Sequence, residues 1–111
     1  FYLSRALIRA GIGDDLLNHL QPWRDMLALN LSTWAEEPEP TRSDCHAWSA
    51  SPNYEFLAGV LGVNPHGGQW QYTRIAPHLG DLTRASGTVP VPGTGNVVRV
   101  EYERDGNTLR A

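Results

Sequence analysis

Over residues 1–10 the apolar positions Tyr2, Leu3, Ala6, Leu7 and Ala10 recur at the spacing of one helix face, which predicts a helix closed by Gly11 and Gly13. Asp14 is suited to cap a second helix, with Asp15 favourable in its first turn. Leu16, Leu17, Leu20, Trp23, Met26 and Leu27 continue the apolar stripe, and Pro22 inside it predicts a kink or a restart. Asn30, tolerant of the left-handed conformation, follows the last apolar turn. Residues 31–44 have little periodicity and hold Pro38 and Pro40, so they are expected to be a loop. Ala47 and Trp48 suggest a short helical turn. Pro52 then stands in the first turn of a helix that carries Tyr54, Phe56, Leu57, Val60 and Leu61 up to Gly62. Gly62, Asn64, Pro65, Gly67 and Gly68 predict a break.

Beyond that break the period changes to two. In QWQYTRIAP, residues 69–77, Trp70, Tyr72 and Ile75 form the expected packed set, and the stretch from Leu82 to Val91 is strand-like. Val98, Val100 and Tyr102 alternate with Arg99, Glu101 and Glu103, and Asp105-Gly106 supplies a tight turn, so residues 96–111 read as a hairpin. Helices come first and strands second, which is α+β by segregation rather than an interleaved α/β sheet. Both halves have wide apolar faces, and the last strand has barely begun at Ala111, so burial against further polypeptide is expected. The chain also opens on Phe1 in mid-pattern, which hints at a fragment or a processed chain.

Composition narrows this little. The 111 residues carry a net charge of −3, and all nine basic residues are arginines scattered along the chain, so no basic field recruits nucleic acid. Cys45 is the only cysteine, which excludes an internal disulfide and any paired-cysteine zinc pattern. No apolar run is long enough to span a membrane, and the first residues have no signal-cleavage pattern. One free thiol fits a reducing compartment. His19, His66 and His78 fall in different elements at no metal-binding spacing, and the Gly-x-Gly pairs near residues 11 and 93 lack the strand–helix context of a phosphate loop. Neither metal nor cofactor is expected.

The stretch TWAEEPEPTRSDCHAWSASP, residues 33–52, concentrates more chemistry than a linker needs. With the upstream WRDMLALNLSTWAE and the downstream IAPHLGDL, residues 75–82, it resembles the C-terminal part of bacterial α-L-rhamnosidases, the six-hairpin glycoside hydrolases of the family-78 type. The resemblance covers nearly the whole chain. It implies the last helices of an (α/α)6 barrel over residues 1–64 and the start of a C-terminal β-sandwich over residues 65–111. It also implies that the rest of the catalytic barrel completes the site, and that a rhamnose-containing glycoside or oligosaccharide is hydrolysed with inversion. The acidic residue that ends the motif Thr33-Trp34-Ala35-Glu36 is then the general base, Glu36, and His46 of RSDCHAWS is an active-site histidine near the substrate. The family usually has Gly where Asn30 stands, and its general acid lies far upstream, with no counterpart in these residues.

An inverting enzyme needs two carboxyl groups about 6.5–9.5 Å apart, one protonating the leaving oxygen and the other activating a water. Glu36 would be the second; Glu37 and Glu39, among prolines, are expected to face solvent. By itself His46 reads as a helix-start histidine satisfied by a carbonyl; the motif around it favours instead contact with a substrate hydroxyl or with a carboxylate. Trp34 is placed as a sugar platform or as packing, and Trp48 as pocket wall or core. Arg42 and Asp44 are expected to pair and brace the loop, and Cys45 to be small and buried. Adjacent side chains diverge, so Cys45 and His46 are not a nucleophile–base pair. The competing class is a non-catalytic carbohydrate-binding or assembly module that shares the family's shape.

Overall fold

The computed structural model describes residues 1–67 and 70–111. They form a mixed α+β fold with three α-helices and two antiparallel sheets. Helix α1 spans Tyr2–Arg9, α2 Gln21–Ala28 and α3 Ser51–Glu55. A 3₁₀ segment, Gly13–Leu20, joins α1 to α2; another, Ala47–Ala50, leads into α3, which continues as a π-helical turn over Phe56–Val60.

The expected helix boundaries are close to those observed, but the cap at Asp14 is not. The second segment opens without a side-chain cap, and the Asp14 carboxylate instead accepts the backbone N–H of Gly80 at 3.0 Å. A contact distant in sequence has taken the oxygen that a local cap would use. Pro22 restarts the helix by standing in the first turn of α2, where the missing N–H costs nothing. Asn30, at φ 58°, ends α2 in the left-handed region.

Strand β1 spans Val63–His66, β2 Tyr72–Ile75, β3 Arg84–Pro90, β4 Val97–Asp105 and β5 Thr108–Arg110. β1 and β2 form a two-stranded ribbon, Val63 opposite Ile75 and His66 opposite Tyr72. The expected break at Asn64–Pro65 is therefore a strand; among the described residues, Gly62 and Gly67 keep the break's positive φ. Gly68 and Gln69, read respectively as part of that break and as the start of the alternating stretch, lie outside the described residues. The second sheet has the order β3–β4–β5. Its inward row pairs Ala85 with Tyr102, Gly87 with Val100 and Val89 with Val98, as the period-two pattern of β4 predicts.

One core joins the helical and strand parts. Leu16, Val60, Leu61, Val63, Leu79, Val89 and Tyr102 are buried together. Leu61 seats over Gly87, where an added Cβ would lie 2.4 Å from its Cδ1. The Tyr102 hydroxyl donates to the Leu61 carbonyl at 2.8 Å. The segment Ala76–Leu82 is wedged between the 3₁₀ helix and the sheet: His78 N–H donates to Val60 O, and Arg104 donates to Gly80 O at 2.6 Å. Strand β1 straddles position 64, and the core draws residues from both sides of it.

Elsewhere the apolar pattern outruns the burial. Tyr2, Leu3, Leu27, Tyr54 and Phe56 are exposed, so the stripes of α1, α2 and α3 are only partly covered. Trp70 packs on the core as expected, but Tyr72 and Ile75 are exposed, as is every residue of β2, on both faces of the strand. The surface, 7679 Å², exceeds the roughly 6,100 Å² of a folded monomer of this mass. The radius of gyration, 15.5 Å, likewise exceeds the roughly 13 Å of a chain this long.

Candidate active-site loop and aromatic wall

The loop between α2 and the 3₁₀ turn Ala47–Ala50 is built by its own backbone. Pro38 and Pro40 prevent regular structure at the tip, but the two limbs pair: Glu36 N–H donates to Ser43 O at 2.9 Å and His46 N–H to Trp34 O at 2.7 Å. One hydroxyl staples the limbs further: Thr33 Oγ1 donates to Asp44 O. Within the returning limb, Thr41 Oγ1 donates to Ser43 O at 3.0 Å and Ser43 Oγ to Cys45 O at 3.1 Å. These residue types satisfy loop backbone groups locally, which explains why Ser and Thr crowd this stretch.

Ala35 is buried and helps line a hollow of about 230 Å³ shared with Met26 and Leu29 of the α2 end. Trp34 and Glu36, on either side of Ala35, are half-buried and pair through their backbones with the opposite limb. Glu36 and His46 thus stand on facing limbs. His46 is half-buried and begins the 3₁₀ turn, its carbonyl accepting Ser49 N–H at 3.0 Å. Trp23 of α2 holds the same turn, donating its indole N–H to Ser49 O at 2.7 Å. Sequence reading treated Trp23 as apolar stripe alone; its polar tip gave no sign of its partner.

Arg42 grips Glu36 with both nitrogens of its fork: Nε–H donates to Oε2 at 3.1 Å and Nη2 to Oε1. The hydrogen bond from Arg42 is the main reason that the Glu36 carboxyl sits below its ordinary value; partial burial opposes this, and the charges of Arg42 and His46 add to it. The expected Arg42–Asp44 brace is thereby replaced: Arg42 spans back to Glu36, and Asp44 is exposed. Glu37 and Glu39 are exposed, as expected. Cys45 is exposed, not buried.

Trp48 is not core either; it is 64% exposed. It belongs to an aromatic cluster with Phe1, Tyr2 and Tyr54. Ring centroids lie 6.4 Å apart for Phe1–Trp48, 6.2 Å for Tyr2–Trp48 and 6.2 Å for Phe1–Tyr54. Phe1, Ala47, Trp48, Ala50 and Ser51 line an open hollow of about 330 Å³. Trp34 is half-buried on the loop. Neither of the two hollows flanking the loop is lined by Glu36 or His46.

A second carboxylate escaped sequence reading altogether. Glu55, in a run of apolar residues, is 2% exposed and receives both Nε and Nη2 of Arg5. The pair fastens α1 to α3 beneath the aromatic cluster, and the Arg5 guanidinium lies 5.1 Å from the Tyr54 ring centroid. Among the described residues no three His, Cys, Asp or Glu side chains gather to hold a metal, and no helix is long and apolar enough to cross a membrane. No family model, curated protein or solved structure matches the chain.

Proposed function

We propose that the chain is the C-terminal portion of an inverting glycoside hydrolase of the α-L-rhamnosidase type, with Glu36 as the residue that activates water. The observation that carries this reading is the placement of Glu36: a carboxylate gripped by Arg42 on a loop whose backbone-paired opposite limb holds His46. A general base must be anionic at working pH and must be held in place. The pairing with Arg42 secures the anion but also occupies both oxygens, which makes Glu36 a weak proton acceptor as it stands. Arg42, with a side chain 78% exposed, is the movable partner. In this reading it swings off when sugar and water enter, and Glu36 becomes more basic. His46 then contacts a substrate hydroxyl, and Trp34 offers an apolar face to the sugar ring.

The excess surface and the uncovered stripes of α1, α2 and α3 suit helices that complete a larger (α/α)6 barrel, with β3–β5 beginning a sandwich. Inversion needs a second carboxyl group across the bond. Glu37 and Glu39 are exposed at the loop tip and Glu55 is bound to Arg5, so that acid comes from outside these residues, and the isolated chain is expected to be inactive. A second reading, a non-catalytic sugar-binding module, draws on the exposed rings of Tyr2, Trp48 and Tyr54. Glu36→Gln in the full-length enzyme separates the two. Loss of aryl-rhamnoside turnover with rhamnose binding retained supports the base; unchanged turnover removes it.

A further inference from the structure

Where α1 meets the β1–β2 ribbon, a cleft of about 280 Å³ collects Arg5, Arg9, His66, Arg74 and His78, with Asn64 beside them. These side chains come from separate stretches of chain. Arg5 and Arg9 stand one turn apart on α1, where i and i+4 residues share a face. His66 and Arg74 come from the two strands of the ribbon, and Arg74 pairs in register with Asn64. His78 follows on the segment wedged under the 3₁₀ helix. No carboxylate lines the cleft. Arg5 is already bound to Glu55, and among the described residues neither Arg9 nor Arg74 has an acidic partner within ion-pair distance.

Arginine keeps its charge at every accessible pH. Like charges gathered in a concave site repel one another, and a bound anion relieves that repulsion. We infer that this cleft binds an oxyanion, the carboxylate, sulfate or phosphate group of a small solute or sugar acid, held chiefly by Arg9 and Arg74. Guanidinium forks match two oxygens of such a group at once, and the volume holds one anionic group with its immediate carrier. The chain's net charge of −3 disfavours an extended polyanion as the occupant. The inference is independent of the hydrolase reading, because neither Glu36 nor His46 lines this cleft.

The test is a titration of the full chain with sodium phosphate, sodium sulfate and sodium glucuronate, followed by amide NMR shifts against chloride at equal ionic strength. Saturable shifts are expected at His66, Arg74 and His78. The double variant R9Q/R74Q should weaken binding by about tenfold or more, while R99Q, on exposed β4, should leave it unchanged. Both replaced arginines are exposed, so the fold should survive. As a second measurement, the favoured anion should raise the melting midpoint of the unaltered chain above that in chloride, and the rise should vanish in the double variant. A preference for glucuronate points to a sugar acid and a preference for phosphate or sulfate to an inorganic or esterified group; either supports the site. No saturation beyond chloride, or equal weakening by R99Q, overturns it.

Discussion

Replacing Gly62 by Ala tests the junction between the helical part and the β1–β2 ribbon. Gly62 has φ 68°, and a Cβ there would lie 2.0 Å from the Ala76 carbonyl oxygen and 2.4 Å from Pro77 N. Its own carbonyl accepts Ala76 N–H at 3.0 Å. The left-handed conformation costs an alanine about 1–2 kcal/mol, partly offset by the roughly 0.4–1 kcal/mol that alanine gains by restricting the unfolded chain. Gly11 isolates that part, because it has φ 77° and nothing within 4 Å of an added Cβ. Gly11→Ala should therefore cost about 1 kcal/mol or less. Gly62→Ala must in addition push backbone away from backbone, which costs about 1–3 kcal/mol, and strain a hydrogen bond worth about 1 kcal/mol. The total, about 3–5 kcal/mol, is a large share of the roughly 5–15 kcal/mol that holds a domain folded. Urea unfolding followed by tryptophan fluorescence measures both variants side by side. With a slope of about 1–1.5 kcal/mol per molar for a chain this size, their midpoints should differ by roughly 2 M. Midpoints that coincide would refute the claim that the Ala76–Pro77 backbone excludes a side chain at position 62.

Three further outcomes follow from the same contacts. Tyr102→Phe leaves the buried Leu61 carbonyl without its donor and should lower stability by about 1–2 kcal/mol in the same unfolding assay. Arg5→Ala strands Glu55 in the interior and should cost roughly 2–4 kcal/mol, discounted because Arg5 itself is partly exposed; Glu55→Gln in the R5A background should recover part of that loss. The Glu36 carboxyl, depressed chiefly by the hydrogen bond from Arg42, should titrate in carbon-detected NMR below its ordinary value of 4.5, and Arg42→Ala should raise it. The sign is that of a depressed carboxylate: whatever the pair adds to stability is present above that ordinary value and is lost as pH falls through the lower folded-state value.

Much of the fold was legible in the chain because its signals are local. The period of 3.6 up to residue 10, the proline restart at Pro22, the left-handed stop at Asn30 and the alternation of β4 each depend on a few neighbouring residues, and each stands where the pattern put it; the tight turn after β4 falls one residue later than expected, at Gly106-Asn107, because Asp105 still pairs with Thr108. What the sequence could not supply were partners distant along the chain. Asp14 has the chemistry of a cap and serves Gly80 instead; Arg42 lies two residues from Asp44 and binds Glu36; Glu55 hides in an apolar run because Arg5, fifty residues away, neutralises it. Burial followed the same rule. Tyr72, Ile75 and Trp48 have the composition of core, but whether a face is covered depends on which layer lies over it, and that is set by the packing of whole elements. Local conformation was therefore readable from the residues themselves. The ion pairs, the aromatic cluster and the basic cleft were decided only in three dimensions, because electrostatic and hydrophobic contacts depend on distance in space and not on separation along the chain.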